Sequence, residues 1–184
     1  MRTLIVQVCC SLVLLMMPRS VAGHAKGLQE TSRSPREFVD EFYKWYAPRA
    51  LSDNTPPTWD SALKFKSSDS SPQIVRLLKE DSAAQAKCKE LVGLDFDPFL
   101  NTQEPAEQYE VGTISQKGQD FKAEIYGMHS GKRNEKPDVV AEFLQKDGHW
   151  FFVNFYYSSA GTDLITMLRS PRPGCSMPRV PTKK

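Results

Sequence analysis

Between Asp138 and Tyr157, two runs of apolar, β-branched and aromatic residues flank Asp147-Gly148. An Asp-Gly loop between such runs predicts a hairpin with a type I′ turn, whose two central residues both need positive φ. A loop there sets the register. Lys146 faces His149, Gln145 faces Trp150, Phe143 faces Phe152 and Ala141 faces Asn154. Leu144 with Phe151, and Val140 with Phe155, form the pairs on the other side. Both sides are largely apolar, so the hairpin is expected to be buried on both faces.

Upstream, the period changes from two to 3.6. Ser34-Pro35-Arg36-Glu37 reads as an N-cap, a proline at the first helical position and a capping box. Phe38, Phe42, Trp45 and Arg49 follow at helical spacing, widened by Val39, Tyr43 and Tyr46, and Pro48 is expected to end the helix. Leu51 to Ser71 is a connector, with Trp59, Leu63 and Phe65 as the material for a short helix or docked turn. Ser71-Pro72 opens a second helix carrying Ile74, Leu77, Leu78, Ala84, Cys88, Leu91 and Val92 on one side, with Gly93 after its end. Asp81 falls in that stripe and needs a partner if buried. Two alternating segments, Tyr109–Ile114 and Phe121–Tyr126, turn at Lys117-Gly118. His129 to Pro137 is a polar loop, and Thr162 caps a last short helix, Asp163–Leu168. Helices followed by a strand meander give an α+β class, with N-terminal helices packed on an antiparallel sheet.

Charge and the amino terminus change where the chain is expected to work. Arg2, the apolar run Leu4–Met17, Pro18 and the small residues of Ser20-Val21-Ala22 form the order of a signal peptide, residues 1–22. Cleavage is expected between Ala22 and Gly23; Gly23-His24-Ala25 is a second candidate. The run is shorter than the roughly 20 residues of a spanning helix, so no integral membrane segment is expected after processing. Removing Arg2 and Arg19 from 24 basic residues balances the 22 acidic ones. That argues against nucleic acid as a partner, because such proteins carry a basic footprint. Residues 23–33 read as a flexible leader, 34–169 as a single domain and 170–184 as a Pro-rich basic tail. Cys88 and Cys175 survive maturation, and an even pair in an oxidising compartment predicts a bridge between them.

Candidate chemistry is thin. No nucleophile elbow, phosphate loop or zinc spacing is present, so no catalytic residue, metal site or cofactor is assigned. Asp95, Asp97, Asn101 and Glu104 are ligand-like oxygens without the spacing or glycine of an EF-hand loop. They read better as a turn at Asp97-Pro98, with Phe96, Phe99 and Leu100 plugging the core. If a sheet-lined concavity exists, its candidate lining is Tyr43, Tyr126, Glu142, Phe143, Phe152 and Asn154.

Asp97-Pro98-Phe99, Asp147-Gly148-His149-Trp150 and Gly161-Thr162-Asp163-Leu164, set in two helices and a meander, resemble an uncharacterised bacterial envelope family, the domain of unknown function numbered thirty-eight twenty-eight. The resemblance covers roughly Glu37 to Leu168. It implies a cone-shaped fold similar to nuclear transport factor 2 and the cystatin-like group, with a curved sheet, and export to the periplasm. On that basis the expected function is a non-catalytic module binding a small apolar ligand or an envelope protein, periplasmic or secreted. The alternatives are an interaction or immunity-type protein that blocks a partner, and a cone-fold enzyme using Glu142, or an acid from Asp95/Asp97, as base.

Overall fold

A computed structural model describes residues 33–52, 57–88 and 92–171. The signal peptide, its cleavage site at Ala22 and Gly23, most of the leader, Cys175 and most of the tail lie outside the described residues. Helix α1 (Pro35–Leu51) starts as its sequence predicts: the Ser34 hydroxyl accepts from Glu37 N at 3.2 Å, and Glu37 accepts from Ser34 N at 2.8 Å. It runs past Pro48 to Leu51. Proline's fixed φ is itself helical, and its cost falls on the backbone bond it cannot donate. The Arg49 guanidinium donates to the Trp45 carbonyl at 2.6 Å and lies 4.3 Å over its ring, which supports the carbonyls of that last turn.

The connector holds α2 (Thr58–Phe65) and a 3-10 turn (Ser67–Asp69). Trp59 and Leu63 are buried, and Phe65 is exposed. Helix α3 (Pro72–Lys87) starts on the Ser71 cap and stops earlier than its periodicity suggests. Cys88 is therefore the extended, half-buried residue after the helix rather than part of its inward stripe. Asp81 is fully buried, and its Oδ2 accepts from Gln85 Nε2 at 2.7 Å and from Leu94 N at 3.4 Å. This fold-back requires Gly93. Its φ is +94°, and a Cβ there would sit 2.3 Å from an Asp81 oxygen.

Six strands follow in one antiparallel sheet: β1 (Gln108–Lys117), β2 (Asp120–His129), β3 (Lys132–Arg133), β4 (Val139–Lys146), β5 (His149–Tyr157) and β6 (Thr162–Asp163). The spatial order is β1-β2-β4-β5-β6, with β3 folded onto β2. The segment read as a loop thus contains a small hairpin, turned by Ser130 and Gly131 at φ 50° and 73°. Helix α4 (Leu164–Arg169) is capped by Asp163 rather than Thr162, which pairs with Tyr157 instead.

The central hairpin turns at Asp147 and Gly148, both at positive φ. Its predicted register holds from Lys146–His149 through Phe143–Phe152 and then slips by one. A β-bulge makes Glu142 face Asn154, Ala141 face Phe155 and Val140 face Tyr156. The bulge lets Phe152, Phe155 and Tyr157 all point to one side and all be buried. Only that side is buried. Val139, Ala141 and Phe143 are covered, while Val140, Glu142 and Leu144 on the other face are half-exposed, so the expectation of burial on both faces fails. A second bulge lies in β1 between Val111 and Ile114. There Arg36 reaches across from α1, and its guanidinium donates to the Val111 and Gly112 carbonyls at 2.9 and 2.7 Å.

Candidate functional site

The six residues proposed to line a concavity divide between the two faces of the sheet. Tyr43, Phe143 and Phe152 are in the packed interior. Phe38 lies 5.7 Å from Phe143 and 4.7 Å from Phe152, ring to ring, and Phe42 lies 4.9 Å from Phe152. Phe99 closes the same cluster against Phe42, Tyr46 and Phe155 at 5.0–5.5 Å. These are ordinary centroid separations for packed aromatic pairs, and side chains fill the helix-facing side of the sheet here. The Tyr43 hydroxyl does not reach a cavity; it donates to the Phe99 carbonyl at 3.0 Å.

Tyr126, Glu142 and Asn154 are elsewhere. On the other face, Tyr126 donates to Glu124 at 2.9 Å, and the Arg133 guanidinium lies 4.3 Å over its ring. The bond to Glu124 holds the Tyr126 hydroxyl above its usual pKa. Glu142 accepts from the Tyr156 hydroxyl at 2.8 Å and pairs with Lys122 at 3.5 Å. Both of its oxygens are thus engaged, one by each partner. Asn154 donates to Asp163 at 2.9 Å and accepts from Ile165 N at 3.3 Å, so it fixes the start of α4. Burial raises the Asp163 pKa, but bonds from Thr166 and Asn154 outweigh it and hold the group below the usual carboxylate value.

The concavity is at the helix ends. A cleft of about 490 Å³ opens between the end of α1, the start of α2, the last turns of α3 and the loop from Leu94 to Pro105. Trp59 and Phe96 give it aromatic surface, Leu94 apolar surface, and Gln85, Asp95, Asp97, Thr102 and Gln103 polar groups. Local chemistry positions each of these. Trp59 Nε1 donates to Ser82 at 3.3 Å, and Ser82 donates to Asp60 at 2.9 Å, which ties α2 to α3. Phe96 stands edge-on to Tyr157 at 5.4 Å.

Asp97 is the anchor of the loop. One carboxylate oxygen accepts from Phe99 N and Leu100 N at 2.9 and 3.2 Å, and the other accepts from the Tyr46 hydroxyl at 2.6 Å. The Asp97 backbone pairs with Thr102, and Tyr157 donates to the Pro98 carbonyl at 2.8 Å. Burial raises the Asp97 pKa to about 6 against the opposing pull of those three donors. Burial also pushes Tyr43 and Tyr46 well above 10, and Tyr109 to about 12. The turn read at Asp97-Pro98 is present, and Phe99 and Leu100 are fully buried behind it.

The four ligand-like oxygens do not converge. Asp95 and Asp97 line the cleft, Asn101 donates to the Asp138 carbonyl at 2.9 Å, and Glu104 is exposed. Sequence reasoning singled out the two aspartates but missed Trp59, Gln85 and Gln103. Their signal is weak, because they come from a connector, a helix face and a turn that only the fold brings together. Among the described residues no helix is long and apolar enough to cross a membrane. Comparison with protein-family models, with curated proteins and with solved structures finds no match for this chain.

Proposed function

We propose that this chain is an exported, non-catalytic binding module that holds a small ligand in the cleft beside Asp97. One observation carries the reading: the helix-facing side of the sheet is packed with aromatic side chains, whereas the cleft offers about 490 Å³ walled by Trp59, Phe96 and several polar groups. That volume and that mixture suit small-molecule sites generally. Asp97, the buried carboxylate there, has both oxygens occupied by the chain's own donors, which favours holding the loop over proton transfer.

The wider frame of the proposal is a periplasmic cone-fold protein of domain-of-unknown-function family thirty-eight twenty-eight. An antiparallel sheet carrying helices on one face and two bulges that add bend is in keeping with such a cone. Processing between Ala22 and Gly23 and a bridge from Cys88 to Cys175 belong to the same proposal. A second reading is an envelope protein docked on the outer sheet face, which the half-exposed Val140, Leu144 and Tyr156 beside paired charges favour.

Native mass spectrometry of the full chain, captured under non-denaturing conditions from its producing cells, tests the choice. A small-molecule adduct that disappears in a Gln103→Trp variant, which fills the cleft mouth, is the expected result. Retention of the adduct in that variant, or a protein partner lost on Tyr156→Ala instead, would overturn the cleft reading.

A further inference from the structure

We infer that the cleft takes an organic cation, an ammonium or guanidinium compound with a short carbon body, its charge toward Asp95 and Asp97 and its body against Trp59 and Phe96. The inference rests on the cleft being the binding site proposed above. Its first support is charge. Among the described residues, two acids and no Lys, Arg or His line the cleft. Ion pairs elsewhere answer Glu41, Asp69, Glu80, Glu110 and Glu142 with a basic side chain. None among the described residues answers Asp95 or Asp97. Asp97 is held by neutral donors alone, and Asp95 by the Gln103 amide at 3.4 Å.

The second support is what the polar lining has left to give. Both hydrogens of Gln85 Nε2 are used, on Asp81 and on the Leu94 carbonyl at 2.9 Å. The group Gln85 retains for a ligand is its carbonyl oxygen, an acceptor. Thr102 likewise spends its hydroxyl hydrogen on the Glu104 carbonyl at 2.8 Å. With one Gln103 amide hydrogen also spent on Asp95, the lining leans toward acceptors and aromatic surface, which a ligand bringing donors or positive charge answers. Cations are also attracted to aromatic faces, tryptophan most of all. An anionic ligand would face two carboxylates without a basic side chain to offset them.

Nitrogen-15 NMR of the full chain at neutral pH tests this with four probes. Choline and agmatine are the cations, 3,3-dimethylbutanol is the neutral twin of choline, and 3,3-dimethylbutanoate is an anion of similar shape. The expected result is that both cations shift the Trp59 indole and the Gln85 and Gln103 side-chain amides. The neutral twin should bind about tenfold more weakly than choline. Asp95→Asn, an exposed change that leaves the bonds of Asp97 intact, should weaken choline about fivefold and leave the alcohol unaffected. Equal or stronger cleft shifts from the alcohol or the carboxylate would overturn the cation inference while leaving a binding cleft. No cleft shift from any probe up to millimolar concentration would overturn both.

Discussion

Asp97 shows how one side chain can hold an element together at a cost. Its three donors pull the carboxyl toward ionisation, yet burial dominates and its pKa stands near 6, above the ordinary 3.8. The folded chain therefore binds a proton on Asp97 more tightly than the unfolded chain does. The stabilisation from that proton is complete below about pH 4 and is lost as pH rises through about 6. A displacement of this size corresponds to roughly 3 kcal/mol. Chemical denaturation of the native protein and Asp97→Asn at a series of pH values should show the native protein losing ground to the variant across that window. Parallel pH profiles would refute the assignment. Tyr46→Phe removes one donor, at 2.6 Å, and should cost about 1–3 kcal/mol by the same measurement. These residues were partly legible beforehand. The Asp97-Pro98 turn and its aromatic plug follow from local composition, but nothing local links Tyr46 to Asp97, which lie in different elements and meet through the fold.

Strand β5 marks where pattern reading stops. The Asp147-Gly148 turn fixed the register for four pairs because turn geometry is local. The bulge past Phe152 has no comparable signal. Trp150 to Tyr157 is apolar at nearly every position, so a change of side leaves no trace in the alternation. Packing decides it, since the slip brings Phe155 and Tyr157 to the side of Phe99 and Phe96. The same slip moved Asn154 out of pairing with Ala141 and turned a predicted cavity residue into the clamp of α4. Deleting Val153, the extra residue of the bulge, should restore even alternation, keep Phe155 and Tyr157 on the buried side, and preserve a cooperative thermal transition; loss of that transition would show that the bulge itself is needed. Phe155→Ala, which keeps the register, should instead cost about 3–5 kcal/mol in a still-cooperative transition.

At the scale of the molecule, class and element order were readable because helix caps, hairpin turns and hydrophobic periods agree with one another. The site was not readable in the same way. It gathers the ends of three helices and a loop, and each contribution looks like routine punctuation in its own segment. Two proposed properties of the whole chain can be checked together. Intact mass of the exported protein should correspond to a start at Gly23, and a Met1 start in the membrane fraction would refute export by cleavage. Thiol counting on denatured, unreduced protein should find none free if Cys88 and Cys175 are bridged, and two would exclude that pairing. Reduction should then lower stability by about 2–4 kcal/mol, because the bridge closes a long loop.

Arg36 on the β1 bulge has a further effect beyond tying helix to sheet. In the order β1-β2-β4-β5-β6, β1 is a terminal strand, a template on which another chain could lay a strand of its own. Arg36 occupies two of its carbonyls, and the bulge breaks the even spacing that an incoming strand would need. The contact is thus a guard against polymerisation. Removing it should leave the aromatic core untouched while exposing a sticky border. Arg36→Ala is expected to keep the melting transition within about 1 kcal/mol of the parent yet scatter light increasingly with concentration. Unchanged monodispersity at high concentration would show that the bulge alone is enough.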